Sequence, residues 1–133
     1  MSPYESAGNV YQTQAIGTAG PAQLVIMLYD GAIAAIARAE HAMADDSRDR
    51  YEIVNRELTK AQDIVMELFL SLDRDLGGTI ASNLAAIYEY CLATLTKANL
   101  EKAAGNLPDV KSNLVGLRDA FAEASAQLAA GAA

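Results

Sequence analysis

Tryptophan is absent from this chain of 133 residues, cysteine and histidine occur once each, and bases are outnumbered by acids 10 to 17. Each shortage excludes a class of function. A lone cysteine, Cys91, forms no internal disulfide and suits a reducing compartment. A lone histidine, His41, cannot supply the paired Glu-x-x-His motifs of a di-metal bundle, so no metal or other cofactor is expected. The net charge of −7 and pI near 4.5, with no window that clusters lysine and arginine, argue against nucleic acid and against an anionic membrane surface. No apolar run approaches the roughly 18 residues of a membrane span. The start, "MSPYESAGNVYQTQ", lacks the basic and apolar regions of a signal peptide, so a cytoplasmic protein is expected. Strand signals are missing, and Gly77–Gly78 lacks the frame of a phosphate loop.

What is present is helical periodicity. Gly20–Pro21 opens a first helix over 21–44, because proline at the first helical position loses no intrahelical bond. Asp46 or Ser47 can cap a second over 47–72. Gly77, Gly78 and Thr79 break the chain before a third over 80–104, and Gly105–Asn106 and Pro108 bound a fourth over 107–128. Residues 1–20 form a separate, weakly patterned segment, and the tail 129–133 is expected to fray.

Apolar residues recur at steps of three and four in Val54, Leu58, Ala61, Val65, Leu68 and Leu72, in Ile80, Leu84, Ile87, Cys91, Leu95 and Ala98, and in Val110, Leu114, Leu117, Phe121, Ala124 and Leu128. Such stripes pack helices side by side, and short connections make neighbours antiparallel. The spacing predicts one all-α domain, an antiparallel up-down-up-down four-helix bundle.

The first helix carries more apolar residues than one face needs. Val25, Leu28, Ala32, Ala39 and Met43 make a core stripe, and Ile26, Tyr29, Ile33 and Ile36 make a second beside it. Met66 and Leu70 lie off the core line of the second helix, and Tyr88, Tyr90 and Leu92 off that of the third. Leaving even four such side chains in water forgoes several kcal/mol, at about 1.5–3 kcal/mol each. Three readings account for the surplus: flanking residues half-buried by helix rotation, self-association, or a groove for another protein's amphipathic segment.

Catalytic chemistry does not emerge. Cys91 falls on a core stripe and reads as a small buried hydrophobe. His41 could receive a phosphoryl group, but "EHAMAD" offers no cation downstream to hold one. No enzyme is expected.

The tyrosines Tyr4 and Tyr11, the stretches "TAGPAQLVIMLYDGAIAAIARA", "KAQDIVMELFLSLD" and "GGTIASNLAAIYEYCLATLTKANLE", and the closing "LVGLRDAFAEA" together resemble the flagellin-specific export chaperones, the FliS family, from about Tyr4 to Glu123. Gly20 stands where the family commonly has serine, and Phe121 where a tryptophan is common; both bear on capping or packing. The resemblance implies a cytoplasmic helical bundle that binds the C-terminal segment of flagellin, guards it from premature polymerisation and proteolysis, and passes it to the export apparatus without ATP. Ile26, Tyr29, Ile33, Ile36, Met66, Leu70, Tyr88, Tyr90 and Leu92 are then the expected client-binding residues. The resemblance further implies that the N-terminal segment, through Tyr4, Val10, Tyr11 and Ile16, occludes part of the client site until binding displaces it. A monomer or weak dimer is expected.

Overall fold

The computed structural model describes residues 20–132, which form four helices: α1 (Pro21–Ala44), α2 (Arg50–Leu70), α3 (Arg74–Glu101) and α4 (Leu107–Ala132). The expected occluding residues Tyr4, Val10, Tyr11 and Ile16 lie outside the described residues.

Cross-helix bonds fix the directions. Arg38 meets Glu57, while Gly31 lies beside Ile64; as numbers fall along α1 they rise along α2. Asn99 bonds Asn55 and Gln62 bonds Thr96, so α2 and α3 also run opposite ways. Lys111–Glu40 and Arg118–Asp30 set α4 antiparallel to α1. The helices therefore make a closed ring α1–α2–α3–α4 in up-down-up-down order, with α1 and α2 the most intimately packed pair and α3 and α4 the least.

The intimacy of α1 and α2 has a local cause. Ala32, Ala35, Ala39 and Ala61 are fully buried, and small side chains let the helix backbones approach. Gly31 belongs to the same contact, since a Cβ there would sit 3.3 Å from Ile64 Cδ1. By length and composition α1 is apolar enough to cross a membrane. Counting unbroken apolar runs misses this, because Asp30 and Arg38 break the run while the average over the window stays apolar. Here that apolarity faces α2 and α4, and Ile36 loses all solvent contact.

The helix ends differ from the sequence expectation at definable points. The second helix starts at Arg50, and its N-cap Asp49 makes no side-chain capping bond; neither Asp46 nor Ser47 holds that position. The third begins at Arg74 with one turn, breaks at Gly78 (φ 56°, ψ −131°) and resumes. A side chain at residue 78 would be strained there, and at Gly77 a Cβ would fall 2.5 Å from that of Ala81. Its other end comes at Glu101 rather than 104, because Lys102 takes the left-handed conformation (φ 53°) and Ala103 N–H bonds back to the Ala98 carbonyl at 3.2 Å. This is the Schellman cap with lysine in the usual glycine place, and the Lys102 ammonium bonds the Asn99 carbonyl. The fourth helix runs on to Ala132, past Leu128, as its alanine-rich end favours.

Candidate functional site

The four helices converge on a core whose large residues are buried most deeply toward one end, although Leu100 on the outer face of α3 is 82% exposed there. Around the α1–α2 and α3–α4 connections, Ile36, Val54, Leu58, Leu95, Leu107, Val110 and Leu114 are fully buried. At the other end, where α1 and α3 start and α2 and α4 finish, Leu70, Ile80 and Leu128 are 73%, 72% and 76% exposed. The boundary is marked by a pair of tyrosines. Tyr29 of α1 and Tyr88 of α3 reach across the diagonal of the bundle and share a hydrogen bond of 2.5 Å between their hydroxyls. Burial pushes both phenols above their ordinary pKa, so both stay neutral and each hydroxyl keeps its proton to donate. Burial likewise pushes the Cys91 thiol up to about 11, with the charge of Asp109 adding to the effect.

This placement corrects part of the expected client surface. Tyr29, Ile36 and Tyr88 are core residues, with Ile26 nearly so; Val25, Leu28, Ile33 and Met43, three of them assigned to the core stripe, are only partly buried around them. The stripe of α1 is therefore rotated from the expected one, because the alanines 35 and 42, close to α2, take α1 deeper on that side. Of the nine expected client residues, the structure leaves Met66, Leu70 and Tyr90 exposed and Ile33 and Leu92 half-buried.

Apart from Ile33, which is on α1, the accessible residues gather on two edges of α3. On the α2 side, the Gln62–Thr96 bond of 2.7 Å marks the seam. One turn further towards the open end stand Met66 and Leu92, and beyond them Leu70, at the i, i+4 spacing of one helix face. On the α4 side, Tyr90 donates to Asp109 Oδ2 at 2.7 Å, and this bond, more than burial, raises the Tyr90 pKa. From there towards the open end, α3 presents Ile87, Leu84 and Ile80, and α4 presents Leu117, Phe121 and Leu128. Leu84, Ile87, Leu117 and Phe121 pack on the core yet stay partly open, whereas Ile80 and Leu128 project into solvent. The result is a long apolar surface on both sides of the first half of α3.

Ile80, Leu128, Leu117 and Phe121 were read from the sequence as plain core positions. Their periodicity is correct, but the break at Gly78 and the sparse contact between α3 and α4 leave them short of cover. The second miss is Glu57, whose side chain is only 9% exposed and is held by Arg38 at 3.0 Å and Arg56 at 3.7 Å. A signal was available: Glu57 sits three residues after Val54 and four before Ala61, on the core stripe itself, where an acid requires a partner. Among the described residues no group of His, Cys, Asp and Glu is placed to hold a metal ion.

Residues 4–128 match the family described as Flagellar protein FliS. The Flagellar secretion chaperone FliS of Bacillus subtilis is 33% identical over 93% of this chain and 86% of its own length. The protein of the same name from Salmonella typhimurium is 33% identical over 84% of this chain and 81% of its own. That of Campylobacter jejuni is 34% identical, covering 88% and 89%. These relatives are chaperones, not enzymes.

Proposed function

The chain belongs to the FliS family of flagellar proteins, and on that premise we propose that it is a cytoplasmic export chaperone that binds the C-terminal segment of flagellin. The observation that carries this reading is the incomplete end of the bundle. A helical or extended client laid along α3 would cover Met66, Leu70 and Leu92 on one edge and Ile80, Leu84, Ile87, Phe121 and Leu128 on the other. Client and chaperone would each bury apolar surface that neither can bury alone, which favours a helix-in-groove complex over any chemistry. Such cover keeps the segment from polymerising or being degraded before the export apparatus receives it.

Residues 1–19 extend from Gly20, which lies at the same open end. Val10, Tyr11 and Ile16 are the side chains that would occupy the apolar surface until the client displaces them, with Tyr4 further along. Deleting residues 1–17 should leave the helical signal intact and tighten client binding; loss of folding would overturn this part of the reading.

Isothermal titration with a peptide of the last ~40 residues of the cognate flagellin tests the whole. A complex near one to one with a negative heat-capacity change, weakened at least tenfold by Leu70→Asp or Ile80→Asp, is expected. Absence of binding, together with a dimer in light scattering, would assign the open surface to self-association instead.

A further inference from the structure

Large apolar side chains left in solvent stand at both ends of one line, the outer seam of α2 and α3. Toward the open end are Met66 and Leu70, 43% and 73% exposed, and toward the other end Tyr51 and Leu100, 54% and 82% exposed. Helical spacing puts them on one seam. On α2, Tyr51, Asn55, Gln62 and Met66 follow one another at steps of four, seven and four, on the edge toward α3. On α3, Leu92, Thr96 and Leu100 stand four apart on the edge toward α2. Between the two apolar ends, Asn99 Nδ2 donates to Asn55 Oδ1 at 3.0 Å and Gln62 Nε2 to Thr96 Oγ1 at 2.7 Å. The seam is thus apolar at both ends and polar without charge at its centre. Toward the open end the first ionised side chain on the α3 edge, Glu89, comes beyond Leu92. At the other end Arg50 covers part of the Tyr51 ring, 4.8 Å from its centroid.

Neither half of this pattern serves the fold. A leucine in solvent contributes no burial, and a surface hydrogen bond exchanges with water at little net gain. The central amides are also only half used. Among the described residues Asn55 Nδ2 and Gln62 Oε1 make no bond, and they stand two helical turns, about 10.5 Å, apart along α2. We infer that the client surface does not end at Met66 and Leu92 but runs the whole seam, and that one amphipathic client helix of about 20 residues, roughly 28 Å long, lies along it. That helix is apolar at both ends and carries uncharged hydrogen-bonding side chains two turns apart at its centre. Tyr51 and Leu100 are its far anchor. The amides of Asn55 and Gln62 set its register, as one polar residue does in an apolar coiled-coil seam. A helix displaced by one turn would lay an apolar side chain on the amides and its own polar group on Met66 or Leu92. Continuity with the surface already assigned favours the client as occupant. Shape does too, since a furrow between two helices seats one helix, whereas two such furrows face to face leave space between them. The inference rests on the client reading and adds to it the length, composition and register of the bound segment.

The test is a titration of the ¹⁵N-labelled full-length protein with the same flagellin peptide. Amide shifts should extend from Met66 and Leu70 along the seam to residues 51–55 and 96–101. Leu100→Gln, at a side chain already in solvent, should weaken binding about tenfold, the loss of one large apolar anchor. A nitroxide on the last residue of the peptide should broaden amides at one end of the seam in the unaltered protein, and at both ends in Asn55→Ala/Gln62→Ala. Shifts confined to the open end, with Leu100→Gln binding equally while Leu70→Asp still weakens the complex, would overturn this inference and leave the client reading standing. Absence of any binding would overturn both. Broadening at one end only in the double variant would remove the amides from setting the register. A dimer of the free protein that Leu100→Gln disperses, with no seam shifts on adding peptide, would give the seam to a second copy of the chain.

Discussion

At the end of the bundle near the α1–α2 connection, Ile36, Val54, Leu58, Leu95, Leu107, Val110 and Leu114 lose nearly all contact with water and Leu100 alone of the leucines there stays outside, whereas at the opposite end Leu70, Ile80 and Leu128 keep about three-quarters of theirs. The residue types are the same, so composition cannot explain the contrast. Geometry does: toward their connection α1 and α2 close on Ala35, Ala39 and Ala42, while α3 is interrupted at Gly78 and touches α4 sparsely. Three large side chains left in water forgo several kcal/mol, at about 1.5–3 kcal/mol each. The closed end holds the fold, and the open end leaves apolar side chains uncovered.

The sharpest way to break that comparison is to truncate at both ends. Ile36→Ala or Leu95→Ala, in the fully buried layers, should cost about 2–5 kcal/mol. Ile80→Ala or Leu128→Ala should stay within about 0.5 kcal/mol. Urea unfolding followed by circular dichroism measures both, and equal losses at the two ends would show that the open end is packed in solution.

The boundary layer comes next. Tyr29→Phe leaves the Tyr88 hydroxyl buried without its partner and should cost about 1–3 kcal/mol, while adding Tyr88→Phe should recover part of the loss. If the double variant is no better than the single one, the hydroxyl pair is not what joins α1 to α3.

These contrasts were only partly legible in the sequence. The stripe of α2 was read well because Val54, Leu58, Ala61, Val65 and Leu68 are flanked by charge, leaving a single face to bury. On α1 two apolar stripes lay side by side with few charges to separate them. The choice between them was made by the alanines of the α1–α2 contact, whose value depends on the neighbour and not on hydrophobicity. On α4 the three-and-four spacing continues to Leu128, but periodicity reports which face is apolar and not whether a partner reaches it. For the same reason the expected client residues were divided: Met66, Leu70 and Tyr90 lie at the surface, while Tyr29, Ile36 and Tyr88 fill the interior.

Alkaline titration probes the buried layers with a smaller, graded effect. Cys91 is raised from 9.0 to about 11, and Tyr29 and Tyr88 are raised above 10.0. Above these ordinary values the unfolded chain releases protons that the folded chain retains, so the unfolded state is favoured as pH rises. Stability should be flat with respect to these groups up to about pH 9 and fall beyond it, Cys91 first and the tyrosines after. Cys91→Ala should remove the earliest part of the fall, between about pH 9 and 11, and an unchanged profile would mean that the thiol reaches solvent in the folded protein.

The smallest effect is expected where α3 meets α4. Tyr90 donates to Asp109 in a bond that is exposed at the surface, and an exposed bond exchanges readily with water, so Tyr90→Phe should change stability by no more than about 0.5 kcal/mol. The same substitution keeps the ring and its apolar area. If the seam is held mainly by the packing of Leu84, Ile87, Leu117 and Phe121, amide exchange in the first half of α3 and the second half of α4 should be unaltered. Faster exchange there, with the α1–α2 pair unaffected, would instead make this one bond the fastening of the seam, and the open end would owe its width to a contact that a client could replace.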